Sequence, residues 1–379
     1  MCIIIGADCV PSESNEEAFS SGEINSVISN ELANVFKEAN YRIVNLEMPL
    51  TDANIKISKC GPALKASPKT INGYKSLQID AVTLANNHIM DYGKEGLQET
   101  LDVLKANGIA FCGIGTCIED ARKPLIKAIN GKTIGFYSCV EHEFSSAGEN
   151  KWGANTFNEF ETYKDIHKTK KITDYTVVLY HGGKEEYRMP SPQFQLRCRK
   201  MVDYGADLVI CQHSHCIGCY ELYKDKNIVY GQGNFIFDMC DNEYWNSGLL
   251  VRINDNLSID FLPFLKKNHK IFLAKNKEKE SLLAEFEKRS QYINVEANVE
   301  EAFADLVNKQ IYSYMYKISG VERSIVFRLI NKISGYRFGI YYIKRRYRKQ
   351  GFLNVLNYIE CESHREIVIK GLKSLIEEA

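Results

Sequence analysis

The stretch ADLVICQHSH, residues 206–215, decides how this chain is read. Leu208–Cys211 is an apolar, β-branched run of the length of a buried strand. It ends in Gln212 and then two imidazoles, His213 and His215. Working outward, the same pattern recurs. Asp8 follows IIIGA, Glu47 follows YRIVNL, Asn86-Asn87-His88 follows DAVTLA, and His181 follows YTVVLY. Each strand-like run ends in an acid, an amide or an imidazole. In α/β folds the carboxyl ends of strands gather on one edge, and ligands bind there. Side chains far apart in sequence therefore meet in space. Oxygen and imidazole donors together suit Zn, Mn or Fe. Two such ions a few ångströms apart make a hydrolytic centre.

From Met1 to about Pro263 short β-branched runs alternate with helix-like stretches, which argues α/β layering. The predicted strands are 2–7, 42–46, 81–84, 133–138, 176–180, 208–211, 228–230 and 248–253. The predicted helices are 24–38, 95–107 and 192–204, the last two closed by Gly108 and Gly205 at the expected C-terminal position. Near Lys266 the character changes. Residues 266–279 are Lys-rich, and 280–379 reads as several helices with almost no proline. The expected domains are therefore 1–265 and a helical, basic region 266–379.

The chain of 379 residues is 45% hydrophobic and 25% charged, with zero formal net charge. That balance fits an ordinary globular protein and names no partner by itself. The charge is unevenly spread. Residues 266–379 hold 22 basic and 14 acidic side chains, leaving the body acidic. The segment 336–351 is both basic and aromatic. It fits a membrane surface, a nucleic-acid stack, or a helix that packs its Tyr and Ile inward. The acidic body argues against nucleic acid, because duplex phosphates need a basic groove.

The 12 cysteines are irregularly spaced and several fall in strand-like runs, so they read as reduced thiols. Cys216-x-x-Cys219 lacks a second pair at zinc spacing. No apolar run approaches the length of a membrane span. The opening MCIIIGADCV reads as a core strand and not as a signal peptide. The expected location is cytoplasmic, or peripheral to a membrane through the basic region.

Each ligand candidate is weak alone, since an Asp after a strand is often a turn residue. Their spacing carries more. In an extended segment alternate side chains share a side, so His213 and His215 can face one site. Asp91, three residues after His88, is placed to orient that ring. His181 precedes a flexible Gly182-Gly183 turn that leads to Glu185.

Six segments in order, GADCVPSESN (6–15), NLEMPLT (45–51), LANNHIMDYG (84–93), HGGKEEYRMPSP (181–192), YGADLVICQHSHCIGCYELY (204–223) and IVYGQGNFIFD (228–238), carry a resemblance. The chain resembles the bacterial capsule synthesis proteins of the CapA type, associated with poly-γ-glutamate and other surface polymers. That family sits within the calcineurin-like metallophosphatase superfamily. The resemblance implies a four-layer αββα sandwich over residues 1–265 and two divalent ions (Mn, Zn or Fe). It implies Asp8 and His215 as ligands of one ion and Asn87, His181 and His213 as ligands of the other. Glu47 stands where a bridging carboxylate is expected. His88 would protonate the leaving group, with Asp91 behind it. Glu185 matches the family's acid after the glycine turn, and Asn234 would shape the rim. Val10 stands where the superfamily commonly has a His, which leaves the first ion fewer ligands.

The implied activity is a metal-dependent, phosphoesterase-like hydrolase serving capsule or surface-polymer synthesis. Its substrate would be an anionic polymer or a phosphoester. The alternative is a non-catalytic accessory of a polymer synthase that docks through its basic region.

Overall fold

The computed structural model of the chain describes residues 1–11, 13–237 and 242–378. Its backbone forms two compact units, Met1–Glu300 and Glu301–Ala379.

The first unit is built on two main sheets. In the first, Ile3–Cys9, Tyr41–Leu46, Ala81–Thr83 and Ala110–Cys112 run parallel, side by side. Ser247–Ile253 pairs antiparallel with Ile3–Cys9, and Ile259–Lys267 and Lys270–Leu273 extend that side. Asn234–Ile236 pairs with the end of Ile3–Cys9, setting Asp8 opposite Asn234. In the second sheet, Lys132–Val140, Tyr175–His181, Leu208–Gln212 and Lys226–Val229 are parallel. Leu125–Ile129 and Tyr220–Tyr223 are its antiparallel edges.

Side-chain alternation stacks these sheets. Ile3 and Ile5 point inward and meet Phe136, Val177, Leu179 and Ile210 of the second sheet. Ile4 points outward and packs with Phe36, Leu97 and Leu104 from helices. On the far side Val178 and Val209 pack with Ile166, Phe194 and Met201. The layers are helix, sheet, sheet, helix, as expected. Strands covered on both faces read as continuous apolar runs, which is why the sequence shows them so clearly. A pair of buried amides joins the two sheets near the site. Gln212 Nε2 donates to Gly6 O (2.9 Å) and to Gln232 Oε1 (3.0 Å). Gln232 Nε2 donates to Ile5 O and Leu249 O.

Two expectations change. The predicted helix 24–38 is a short 3-10 turn, Ile24–Ser26, followed by the helix Asn30–Lys37. Ser29 interrupts it, because its hydroxyl accepts from Leu32 N (3.4 Å) and caps the second piece. The composition change at Lys266 falls inside the first sheet, within the hairpin of Ile259–Lys267 and Lys270–Leu273. The helix Asn276–Tyr292 still belongs to the first unit and buries Phe286 against Ile217 and Leu249.

The second unit is helical. It holds most of Glu296–Ile318, then Ile325–Ile333, Arg337–Glu360 and Glu362–Glu377. Its small core is Met315, Tyr316 and Ile343. Among the described residues no helix is long and apolar enough to cross a membrane.

Gly248 opens the strand that flanks Ile3–Cys9. A Cβ there would stand 2.2 Å from Phe264 Cζ and 3.0 Å from Gln232 O. Phe264 is fully buried and cannot yield freely. Gly248→Ala is expected to cost about 1–3 kcal/mol by overpacking, read as a lower urea midpoint; an unchanged midpoint contradicts this packing.

Candidate metal centre

The carboxyl ends of both parallel sheets meet at one edge, and the predicted ligands gather there. Two groups of three side chains share one member. Glu47, His181 and His213 offer ligand atoms all within 4.8 Å of one another, and so do Asp8, Glu47 and His215. Asn87 joins the first group, with its Oδ1 3.0 Å from His181 Nε2. Asp8, Glu47, Asn87, His181 and His213 are buried, and His215 is half-buried.

Local structure explains the presentation. Asn86 folds the turn after Ala81–Thr83. Its Nδ2 donates to Leu46 O (2.8 Å) and its Oδ1 accepts from His88 N and Ile89 N. That turn delivers Asn87 and His88. The strand Leu208–Gln212 ends before the imidazoles. His213 (φ 94°) and His215 (φ 55°) both adopt left-handed backbone. The expected strand alternation is therefore replaced by a strained turn, a conformation that non-glycine residues keep only when their surroundings impose it. His213 N donates to Asp8 Oδ2 (3.2 Å), which is part of that imposition.

The electrostatics are those of a crowded, dry site. Burial and the charge of Glu47 raise the Asp8 carboxyl to about 6. Burial works against ionising Glu47 as well, but His181, His215 and His88 outweigh it and hold Glu47 low. Burial works to lower His181, and the Glu47 carboxylate reverses this and raises it. Burial and the neighbouring His181 push His213 well down. Neutral imidazole is the form that binds metal.

Donor chemistry supplies the test of fit. Both Glu47 oxygens are buried and accept no hydrogen bond, and His213 Nδ1 is also without one. Glu47 Oε1 lies 3.2 Å from His181 Nε2, but not in hydrogen-bonding geometry. Buried polar groups of this kind are normally satisfied. Two buried carboxylate oxygens and an imidazole nitrogen left without partners, beside an amide oxygen and a second imidazole, fit a divalent cation.

The remaining predicted residues surround this cluster. His88 Nδ1 lies 2.7 Å from Asp91 Oδ2. Asp91 is fully buried and also accepts from Lys59 Nζ (2.5 Å) and Leu64 N (2.7 Å). Glu185 stays at the rim, half exposed, 3.9 Å from His213 Nε2. Asn234 is not a rim residue. It is fully buried, and its Oδ1 is 2.8 Å from His215 Nδ1. Cys216 and Cys219 are buried outside both ligand groups, and burial pushes the Cys216 thiol up to about 11.

Three residues had not been singled out from the sequence. Asn45 Nδ2 donates to Asp8 Oδ1 (2.8 Å) and lies 3.2 Å from His181 Nδ1. Its Oδ1 accepts from Thr83 Oγ1 and Asn86 Nδ2, both at 3.1 Å. A signal existed: Asn45 is two residues before Glu47, near the end of the same strand. Lys59 lies in an irregular stretch that gives no periodic cue. Trp245 stacks on His215 with ring centres 4.7 Å apart.

Asn45→Leu would strip partners from Asp8, Thr83 and Asn86 at once. Each buried group left unsatisfied costs about 1–3 kcal/mol. A clear fall in the chemical-denaturation midpoint is expected; no change would show that the network is dispensable.

The family described as "Bacterial capsule synthesis protein PGA_cap" matches residues 3–239. The chain is 30% identical over 210 residues to the capsule biosynthesis protein CapA of Bacillus anthracis, covering 53% of this chain and 51% of that one. It is 29% identical over 208 residues to the PGA biosynthesis protein CapA of Bacillus subtilis, covering 54% and 55%. The chain thus matches about half the length of these curated relatives. Among solved structures, a novel phosphatase from Mycoplasma pneumoniae overlaps at 13% identity and a TM-score of 0.43, covering 70% of this chain and 93% of that one. That overlap is too loose to bear on the reaction. With the match spanning most of the first unit and all of its ligand-bearing strand ends, the chain belongs to the bacterial capsule synthesis protein family.

Proposed function

We propose that this centre holds divalent ions and hydrolyses a phosphoester, or an amide of an anionic surface polymer, in capsule or poly-γ-glutamate synthesis. The observation that carries the proposal is Glu47, whose two buried oxygens accept no hydrogen bond while the ligand groups on both sides share it. Glu47, Asn87, His181 and His213 would hold one ion, and Asp8, Glu47 and His215 the other. Bound divalent ions supply Lewis acidity and lower the pKa of water.

The chain's own residues do the rest. Asn234 accepts from His215 Nδ1, which leaves Nε2 of that ring as the atom that would bind an ion. Asp91 accepts from His88 Nδ1, so Nε2 of His88 is the atom left to hand a proton to a leaving group. Lys59 and Leu64 N fix Asp91 in that role. General acid catalysis of this kind contributes on the order of 10² to 10⁴ in rate. Glu185, beside His213, and Trp245, stacked on His215, would be the first side chains to meet a substrate.

The surface-polymer pathway rests on the family and on the relatives' names. Activity toward p-nitrophenyl phosphate and bis-p-nitrophenyl phosphate tests the chemistry. Wild type is expected to turn over at least one of them with Mn, and His213→Ala to lose about two orders of magnitude or more. No turnover by wild type at any Mn level would remove the catalytic reading. It would leave the accessory role in a polymer synthase.

A pH test follows from Asp8. Its carboxyl is raised from 3.8 to about 6, so burying it lowers stability progressively as pH rises across that window. A cation beside it removes the penalty. The gain in Tm on adding Mn is therefore expected to be larger at about pH 8 than at about pH 5. Equal gains would mean that Mn binds away from Asp8.

A further inference from the structure

The helix Ile325–Ile333 of the second unit turns its most apolar stripe to solvent. Ile325, Val326, Leu329 and Ile333 are 66%, 62%, 55% and 85% exposed, and Ile330 is 42% exposed. At 3.6 residues per turn these positions form one face. The opposite face is the one that packs. Phe327 meets Phe338 and Tyr342 (5.5 and 5.6 Å), and the Asn331 carboxamide oxygen accepts from Gly339 N (2.8 Å). This helix thus buries an asparagine and leaves five aliphatic side chains outside. Tyr336 and Tyr341 are also exposed nearby in sequence.

Charge indicates what covers the stripe. Residues 323–359 contain nine Lys and Arg and no Asp or Glu. Arg328 and Lys332 edge the stripe on its own helix. Arg345, Arg346, Arg348 and Lys349 stand exposed on the kinked helix that follows. A protein partner of mixed charge would not call for so one-sided a composition. A short amphipathic helix with cations beside an apolar face matches an element that lies in the headgroup region of an anionic bilayer.

We infer that residues 323–349 form a membrane-docking surface, with Ile325, Val326, Leu329 and Ile333 inserted among acyl chains and the neighbouring Arg and Lys side chains on anionic lipid headgroups. The docking is peripheral, since the helix is far too short to span.

The test is cosedimentation of the full chain with vesicles. One set contains equal parts phosphatidylglycerol and phosphatidylcholine, and the other contains phosphatidylcholine alone. Binding to the anionic set only, weakened by salt, is expected. Replacing Arg345, Arg346 and Lys349 with Gln should weaken it on the order of a hundredfold, about fivefold for each charge. Leu329→Glu with Ile333→Glu should abolish it without loss of helicity by circular dichroism, because both positions are solvent-exposed. Failure of wild type to bind anionic vesicles at low salt would overturn the inference. So would a stable dimer in solution that Leu329→Glu disperses, since the stripe would then be an interface between copies.

Discussion

The centre depends on one buried carboxylate. Glu47 sits at a strand end with almost no solvent, and neither oxygen accepts a hydrogen bond. An uncompensated buried charge costs several kcal/mol even after relaxation. Imidazoles close by offset part of that, and hold Glu47 in its charged form. They do so by standing where ligands stand, with ring nitrogens and oxygens facing one another and few protons between them. Charge, burial and the unpartnered Glu47 oxygens together fit a cation at this position. The left-handed backbone at His213 and His215 belongs to the same logic. Strain of order 1–3 kcal/mol per residue persists where the surroundings over-determine it.

The surroundings that do so are amides. Asn45 ties Asp8, Thr83 and Asn86 together and stands beside His181. Gln212 and Gln232 link the first sheet to the second just below the imidazoles. Asn234 sets the His215 ring. Amides suit this work because each carries donors and acceptors without a charge of its own. They fix geometry while leaving the negative charge of the site to Asp8 and Glu47. Asp91 plays a comparable part for His88, and Lys59 balances its charge.

The sandwich was legible because its strands are covered on both faces and end in chemistry. All eight expected strands form, most extended by one or two residues, and the ligand candidates at their ends converge. Expectation failed where local patterns mislead. Ser29 looked like a helix residue and is a cap. His213 and His215 suggested an extended segment and form a turn, because spacing alone does not report the sign of φ. The change in composition at Lys266 marked a polar hairpin rather than the end of the sheet. Lys59 was hidden because its role arises only when an irregular loop folds over Asp91. Asn45 was visible in principle, on the same strand as Glu47, but a lone amide inside an apolar run draws little notice.

The central claim is that the shared carboxylate is a ligand. Anomalous diffraction from crystals grown with Mn tests it most directly. Two anomalous peaks that share Glu47 are expected, one beside His181 and His213 and the other beside Asp8 and His215. An ordered site with no peak within bonding distance of Glu47 would contradict it.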